Sequence, residues 1–93
     1  MKKLIYLFLF VSFTSFSQDY NVSGIEKVKN GDYYGAIADF TKAIEIDPNY
    51  ALAYNNRCIA KAILGNINAA CKDARKAQEL GYDASALIKI VCK

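Results

Sequence analysis

Apolar residues recur at spacings of three and four along most of the chain, which is the period of an amphipathic α-helix. The clearest stripe consists of Ile67, Ala70, Cys71, Ala74, Ala77 and Leu80. Residues that end helices separate the stripes: Gly31, Gly65 and Gly81 each follow one, and Pro48 cannot continue a helix. The pattern therefore predicts an all-α fold made of short helices.

Capping signals give approximate bounds for the first pair of helices. Asp19 is predicted to cap a helix over about residues 20–30, which Gly31 ends in the left-handed conformation. Asp32 is predicted to cap a second helix that continues to about Ile46.

The second half of the chain shows the same alternation of signals. Pro48 suits the first turn of a third helix, which is predicted to end at Leu64. The apolar stripe described above forms the fourth helix. Asp83 is predicted to cap a last short helix over residues 84–92, whose apolar face covers the end of the stack.

The two halves are copies of one unit. A shift of 34 residues aligns ten identical residues without a gap, and this is the length of a helix-turn-helix repeat. The aligned pairs are Tyr20 and Tyr54, Asn21 and Asn55, Ile25 and Ile59, Lys27 and Lys61, Gly31 and Gly65, Ala36 and Ala70, Asp39 and Asp73, Lys42 and Lys76, Ala43 and Ala77, and Glu45 and Glu79.

These residues resemble the tetratricopeptide repeat family, whose pattern combines spaced aromatic and small residues with a Gly-Asp-Tyr-like turn and a closing Asp-Pro. The first unit matches it at Tyr20, Gly24, Gly31, Asp32, Tyr33, Ala36, Phe40, Ala43, Asp47 and Pro48. The second unit matches it at Tyr54, Cys58, Gly65, Ala70 and Ala77. The resemblance implies a helix-turn-helix α-solenoid with two repeats, residues 18–50 and 51–84, and a capping helix over residues 84–93.

Five residues depart from the family pattern. Ala74 replaces an aromatic residue, and Gly81 with Tyr82 replaces the closing Asp-Pro. Ser23 and Lys27 stand where the family usually has Leu and Tyr. From the last two departures we expect a loosely held first helix.

Residues 1–17 have the outline of a secretory signal peptide: "MKK", an apolar run from Leu4 to Val11, and small residues at Ser15 and Ser17. We expect cleavage after Ser17 and an exported mature chain, periplasmic or secreted, with no stable membrane anchor. An uncleaved anchor and an ordinary buried helix are the alternatives. The apolar run is short against the roughly 20 residues that span a bilayer, which weakens the anchor interpretation.

Charge and residue types argue against nucleic-acid binding and catalysis. The net charge of +3 falls to +1 without the two N-terminal lysines (10 basic against 9 acidic residues), which gives no nucleic-acid signal. Histidine is absent, so the commonest general base and zinc ligand are missing. No glycine-rich phosphate loop is present. The three cysteines have no close pair, which disfavours a metal site or a thiol-redox enzyme. We therefore expect a non-enzymatic protein without a cofactor or metal.

The resemblance implies a concave face, lined by the first helix of each pair, that holds a peptide or a partner helix. The family's inward-facing positions fall on Asn21, Ile25, Val28, Asn55, Ile59, Ala62 and Ile63. An equally weighted alternative is that these apolar residues are merely exposed or contact the capping helix. Some members clamp a terminal carboxylate, but only Asn56 matches that pattern here. The other candidate function is a structural unit that self-associates into a homo-oligomer, since two repeats are fewer than usual for independent stability.

Export would place the cysteines where disulfides persist. Cys71 lies ten residues before Gly81 and Cys92 nine after Asp83, so two antiparallel helices joined by this turn bring them to similar heights. A Cys71–Cys92 disulfide is predicted, with Cys58 as a buried free thiol. Three free thiols, or a pair that involves Cys58, are the alternatives.

Overall fold

The computed structural model describes the backbone of residues 2–93 and the side chains of residues 16–93. Within these residues the secondary structure consists of five helices: α1 (Lys2–Lys29), α2 (Tyr33–Ile46), α3 (Ala51–Ile63), α4 (Ile67–Glu79) and α5 (Ser85–Val91). Helix α1 packs on α2 and α3 on α4, while α2 also contacts α3 and α4 contacts α5. The expected all-α stack of helix pairs is therefore confirmed.

The predicted turn glycines have the backbone conformation that their role requires. Gly31, Gly65 and Gly81 have φ angles of 80°, 86° and 101°, a region that residues with a Cβ atom rarely enter. Asp32 caps α2, because its Oδ1 accepts a hydrogen bond from the Gly35 N–H at 2.9 Å. The local signals around the first turn are confirmed.

Two predicted helix starts were wrong. Asp19 lies inside α1, which continues upstream, so the N–H groups that a cap would satisfy already have partners within the helix. Pro48 precedes α3: the Tyr50 N–H donates to the Asp47 carbonyl at 3.1 Å, which closes a turn with Pro48 at its second position. The turn uses the fixed φ of proline, and α3 begins only at Ala51.

The last helix is shorter than expected but uses the predicted polar residue. Helix α5 begins at Ser85, with Ala84 at the cap position, and the Asp83 carboxylate accepts the Ser85 N–H at 3.1 Å. Hydrogen bonds from Ser85, first from its side chain and then from its backbone, lower the pKa of Asp83.

Within each helix pair, a first-helix residue contacts a second-helix residue, and the relative sizes of these two side chains are reversed between the repeats. Gly24 of α1 faces the fully buried ring of Phe40 in α2, and a Cβ atom at Gly24 would overlap that ring. One period later, Cys58 stands at the glycine position and packs against Ala74, the residue at the phenylalanine position. The replacement of the aromatic by Ala74 is thus balanced by a larger residue across the interface.

The predicted signal segment, residues 1–17, falls almost wholly outside the part of the chain whose side chains are described. Phe16 and Ser17 are the exceptions: Phe16 is exposed, whereas Ser17 is buried and its Oγ donates to the Ala43 carbonyl at 2.9 Å. Among the residues that the structure describes, no helix has the length and apolar character to cross a membrane.

Candidate functional site

A buried ionic network joins α3 to α4. Arg57 donates two hydrogen bonds of 2.8 Å to the Asp73 carboxylate, and Lys61 lies 3.0 Å from it. Arg57 also donates to the Thr41 hydroxyl at 3.2 Å, which connects the network to α2. Asp73 is 4% exposed, so its charge is compensated by these two cations rather than by water.

The first repeat carries a smaller version of the same network. Asp39 accepts a 2.6 Å hydrogen bond from the Ser23 hydroxyl and lies 2.9 Å from the Lys27 ammonium group. Ser23 and Lys27 are one period before Arg57 and Lys61, so both repeats replace the family's apolar pair with polar partners for an aspartate. Polar contacts to α2 thus stand where the apolar ones are missing, and the expectation of a loosely held first helix stays a prediction.

A small cavity lies where α1, α2 and α3 meet. Its volume is about 110 Å³, and it is lined by Ile25, Val28, Phe40, Asn56 and Ile59. Three of these five belong to the predicted groove. Phe40 and Asn56 were not predicted to line it, although the sequence pattern had marked the first as a packing aromatic and the second as the single match to a carboxylate clamp. The lining is apolar except for one amide.

The predicted groove asparagines do not face an open surface. Asn21 is 3% and Asn55 6% exposed. The Asn21 carbonyl oxygen accepts a hydrogen bond from the Asn56 amide at 3.0 Å, and the Tyr50 hydroxyl is also bonded to Asn21. Burial raises the pKa of Tyr50, and the Asn21 bond partly offsets this. Asn21 therefore connects the two repeats, and its role as a contact residue for a ligand stays a prediction.

Asn55 repeats the position of Asn21 without its partners. Its side-chain oxygen is buried and accepts no hydrogen bond within the described residues. One period after Tyr50 and Asn56 stand Ala84 and Ile90, which have no polar side-chain group to offer. The segment that follows α4 in the stack thus offers Asn55 no polar side chains equivalent to those that bond to Asn21.

The remaining groove candidates differ in exposure. Ala62 packs against the cluster around Cys58 and Val91, so it contacts the capping region, as the alternative interpretation expected. Ile63 is 53% exposed, one helical turn beyond Ile59. The accessible apolar surface near the cavity is therefore formed by Ile25, Val28, Ile59 and Ile63.

The cysteines occupy two environments. The Cα atoms of Cys71 and Cys92 are 5.0 Å apart, with their sulfur atoms at bonding distance. Cys58 is fully buried, and burial, followed by the nearby Asp73 charge, raises the pKa of its thiol. A raised pKa leaves little thiolate at neutral pH, which agrees with an inert thiol. The disulfide itself stays a prediction, tested below.

Within the described side chains, no group of three or more cysteine, aspartate or glutamate residues is arranged to hold a metal ion. The charged networks around Asp39 and Asp73 are paired salt bridges, and the cavity between α1, α2 and α3 contains no nucleophile or titratable group. The geometry offers a surface for contact.

Comparison with known proteins agrees with the helix pairs. A family model described as "TPR repeat" matches residues 24–65. These residues are similar to a tetratricopeptide repeat. Tetratricopeptide repeats are generally protein–protein interaction modules, and proteins built from them are typically non-catalytic scaffolds.

Several relatives contain the same repeat. The chain is 37% identical over 70 residues to the tetratricopeptide repeat protein 36 homolog of Nematostella vectensis, covering 75% of this chain and 39% of the relative. It is 35% identical over 63 residues to tetratricopeptide repeat protein 36 of Danio rerio, covering 68% and 34%. Small glutamine-rich tetratricopeptide repeat-containing protein beta of Homo sapiens is 43% identical over 50 residues, covering 54% and 16%. The chain thus spans less than two fifths of the length of these relatives.

Proposed function

We propose that this protein is a non-enzymatic interaction module that holds an aliphatic side chain of a peptide or partner helix in the cavity between α1, α2 and α3. The apolar cavity carries the proposal, because Ile25, Val28 and Ile59 line it without closing it. Its volume is about 110 Å³. That space suits one branched side chain and is small against the ~300–1,000 Å³ of a cofactor pocket.

Ile63 extends the contact surface beyond the cavity. It is exposed and lies one turn along the same face of α3 as Ile59, so a bound segment that fills the cavity would cover it. Asn56 supports orientation: one of its amide hydrogens is used by Asn21, which leaves its carbonyl oxygen for a partner's N–H group.

A peptide-display selection against the chain tests this function. We expect selected peptides to share one aliphatic position, and Ile59→Asp and Ile63→Asp to weaken their binding while the helix content is unchanged. Ile67→Asp is the matched control, because Ile67 is an exposed isoleucine on α4, away from the cavity. If both groove variants bind as well as Ile67→Asp, the groove assignment is wrong.

We further propose that the chain is exported and cleaved after Ser17. The basic start and the apolar run support this, and the cavity residues all lie after the cleavage point. Cleavage removes the Ser17 bond to the Ala43 carbonyl, which still accepts the Asp47 N–H at 2.9 Å. Intact-mass spectrometry of exported protein should give a chain that begins at Gln18. Retention of Met1 on exported material would contradict the proposal.

Self-association through α1 is the competing function. Val22 is more than half exposed on this helix, which favours it. Asp19 and Glu26, however, stand one period before Ala53 and Ala60, which are fully buried between the repeats. Charges at these two positions oppose close helix packing, so we expect a monomer. Sedimentation across micromolar concentrations decides between the two functions.

A further inference from the structure

A second, larger pocket of about 520 Å³ opens between α4 and α5, at the end of the stack opposite α1. Asn68, Lys72, Arg75 and Lys93 contribute its polar lining. The lining also includes buried Val91 and the Cys71 and Cys92 side chains, so the pocket combines cationic groups with apolar surface.

The cations of this pocket have no acidic partners among the described side chains. No carboxylate oxygen there lies within 4.0 Å of the Lys72, Arg75 or Lys93 nitrogens, whereas Arg57, Lys61 and Lys27 are all paired with aspartates. An open pocket with three unpaired positive charges attracts negatively charged groups.

The repeat indicates what kind of structure fits this position. One period before Arg75 and Val91 stand Thr41 of α2 and Arg57 of α3, and the space beside those two residues is filled by α4. Helix α4 holds that position through the Asp73 carboxylate, which is bonded to Arg57. The pocket is therefore the equivalent position one repeat later, where the second helix of a further repeat would pack. Its cations are Lys72 and Arg75 of α4 and Lys93.

We propose that the pocket between α4 and α5 docks an amphipathic helix of a partner protein that carries acidic residues, in the place of the second helix of a third repeat. Its carboxylates pair with Lys72, Arg75 and Lys93, and its apolar residues cover Val91. A small anion would satisfy the charges and leave the apolar surface open. A basic helix would be repelled. This surface is separate from the cavity at α1 and α3.

The chain itself supplies the probe. A capped synthetic peptide of residues 31–47 contains Asp32, Asp39, Glu45 and Asp47 against Lys42, a net charge of −3, and its sequence forms a second helix in this protein. A capped peptide of residues 65–80, with Cys71→Ser, is the corresponding basic helix of net charge +1, from three basic and two acidic residues. Binding of each labelled peptide to the full chain is measured by fluorescence anisotropy.

We expect the acidic peptide to bind and the basic peptide not to bind. Lys72→Glu and Arg75→Glu should each weaken binding by about fivefold, because an attraction is replaced by a repulsion at a partly exposed site. Lys42→Glu, an exposed lysine on α2, is the matched charge control and should change binding less than about twofold. Amide chemical shifts should move at Asn68, Lys72 and Val91. The groove variant Ile59→Asp should bind normally, so failure of the groove proposal is read out separately.

Three results would overturn the proposal: equal binding of both peptides, equal effects of Lys72→Glu and Lys42→Glu, or shift changes confined to Ile25 and Val28, which would indicate exchange with α2. Inorganic phosphate is a further probe. If phosphate moves the Lys72 and Arg75 signals while the acidic peptide leaves them unchanged, the pocket is a small-anion site and the helix proposal is wrong.

Discussion

Replacing Asp73 by alanine should destabilise the protein far more than the equivalent change at Asp39. Asp73 is buried and bonded to Arg57 and Lys61, whose side chains are only 16% and 19% exposed. Removing the carboxylate leaves two poorly hydrated cations side by side. Breaking a buried pair in this way typically costs about 3–5 kcal/mol.

The first repeat serves as an internal control. Asp39 is 14% exposed and Lys27 40%, so Lys27 regains water when the carboxylate is removed, and Ser23 carries no charge. The cost is about 1–2 kcal/mol, from an ion pair whose cation is partly exposed, at roughly 0.2–1 kcal/mol, and a hydrogen bond at roughly 0.5–1.5 kcal/mol. The two variants should therefore differ by about 2–3 kcal/mol.

Urea unfolding, followed by circular dichroism, measures this difference. With a slope of about 1 kcal/mol per molar urea, Asp39→Ala should lower the midpoint by about 1–2 M. Asp73→Ala should remove most of a total stability of the order of 5 kcal/mol. Equal losses for the two variants would refute the reasoning that burial of the stranded cations sets the cost.

Three further predictions concern packing and the cysteines. Gly24→Ala should destabilise the protein by about 1–3 kcal/mol through overlap with Phe40. In a Phe40→Ala background the same change should be neutral or stabilising by up to about 1 kcal/mol, because only the helix propensity of alanine then remains. Additive changes in the urea midpoint would contradict this. Non-reducing peptide mapping of protein recovered from the export compartment should link the Cys71 and Cys92 peptides, and a peptide containing Cys58 in a link, or no link at all, would refute the pairing. Burial raises the pKa of the Cys58 thiol in the folded state, so the stability that this group contributes is full below the unfolded thiol pKa of about 8.5 and is lost at higher pH, by at most about 1.4 kcal/mol per pH unit. Cys58→Ala should therefore flatten the fall in urea midpoint between pH 8 and 10. An unchanged slope would show that the thiol does not cause the fall.

Short-range signals in the chain were sufficient for the number, type and order of the helices after Asp32. The conformation at Gly31 and the cap at Asp32 depend on residues within one turn, so their chemistry can be read locally. The 34-residue period carried the rest, because a repeated unit must pack on its copy. The same local reading failed at Asp19, which lies inside α1. A helix start depends on the residues that precede it, and aspartate also occurs at exposed positions within a helix.

Tertiary contacts decided which candidate residues are buried and which are open to solvent. Asn21 and Asn55 have the helix positions of contact residues, yet both are buried, and Asn21 is bonded to a residue 35 positions away. From the sequence, Ser23 and Lys27 indicate a loss of apolar packing. In the structure, α2 brings Asp39 into contact with both residues. The cationic pocket arises only because α5 packs beside α4. Periodicity determines which face of a helix a residue occupies, but the neighbouring helix determines whether that face is buried, paired or open.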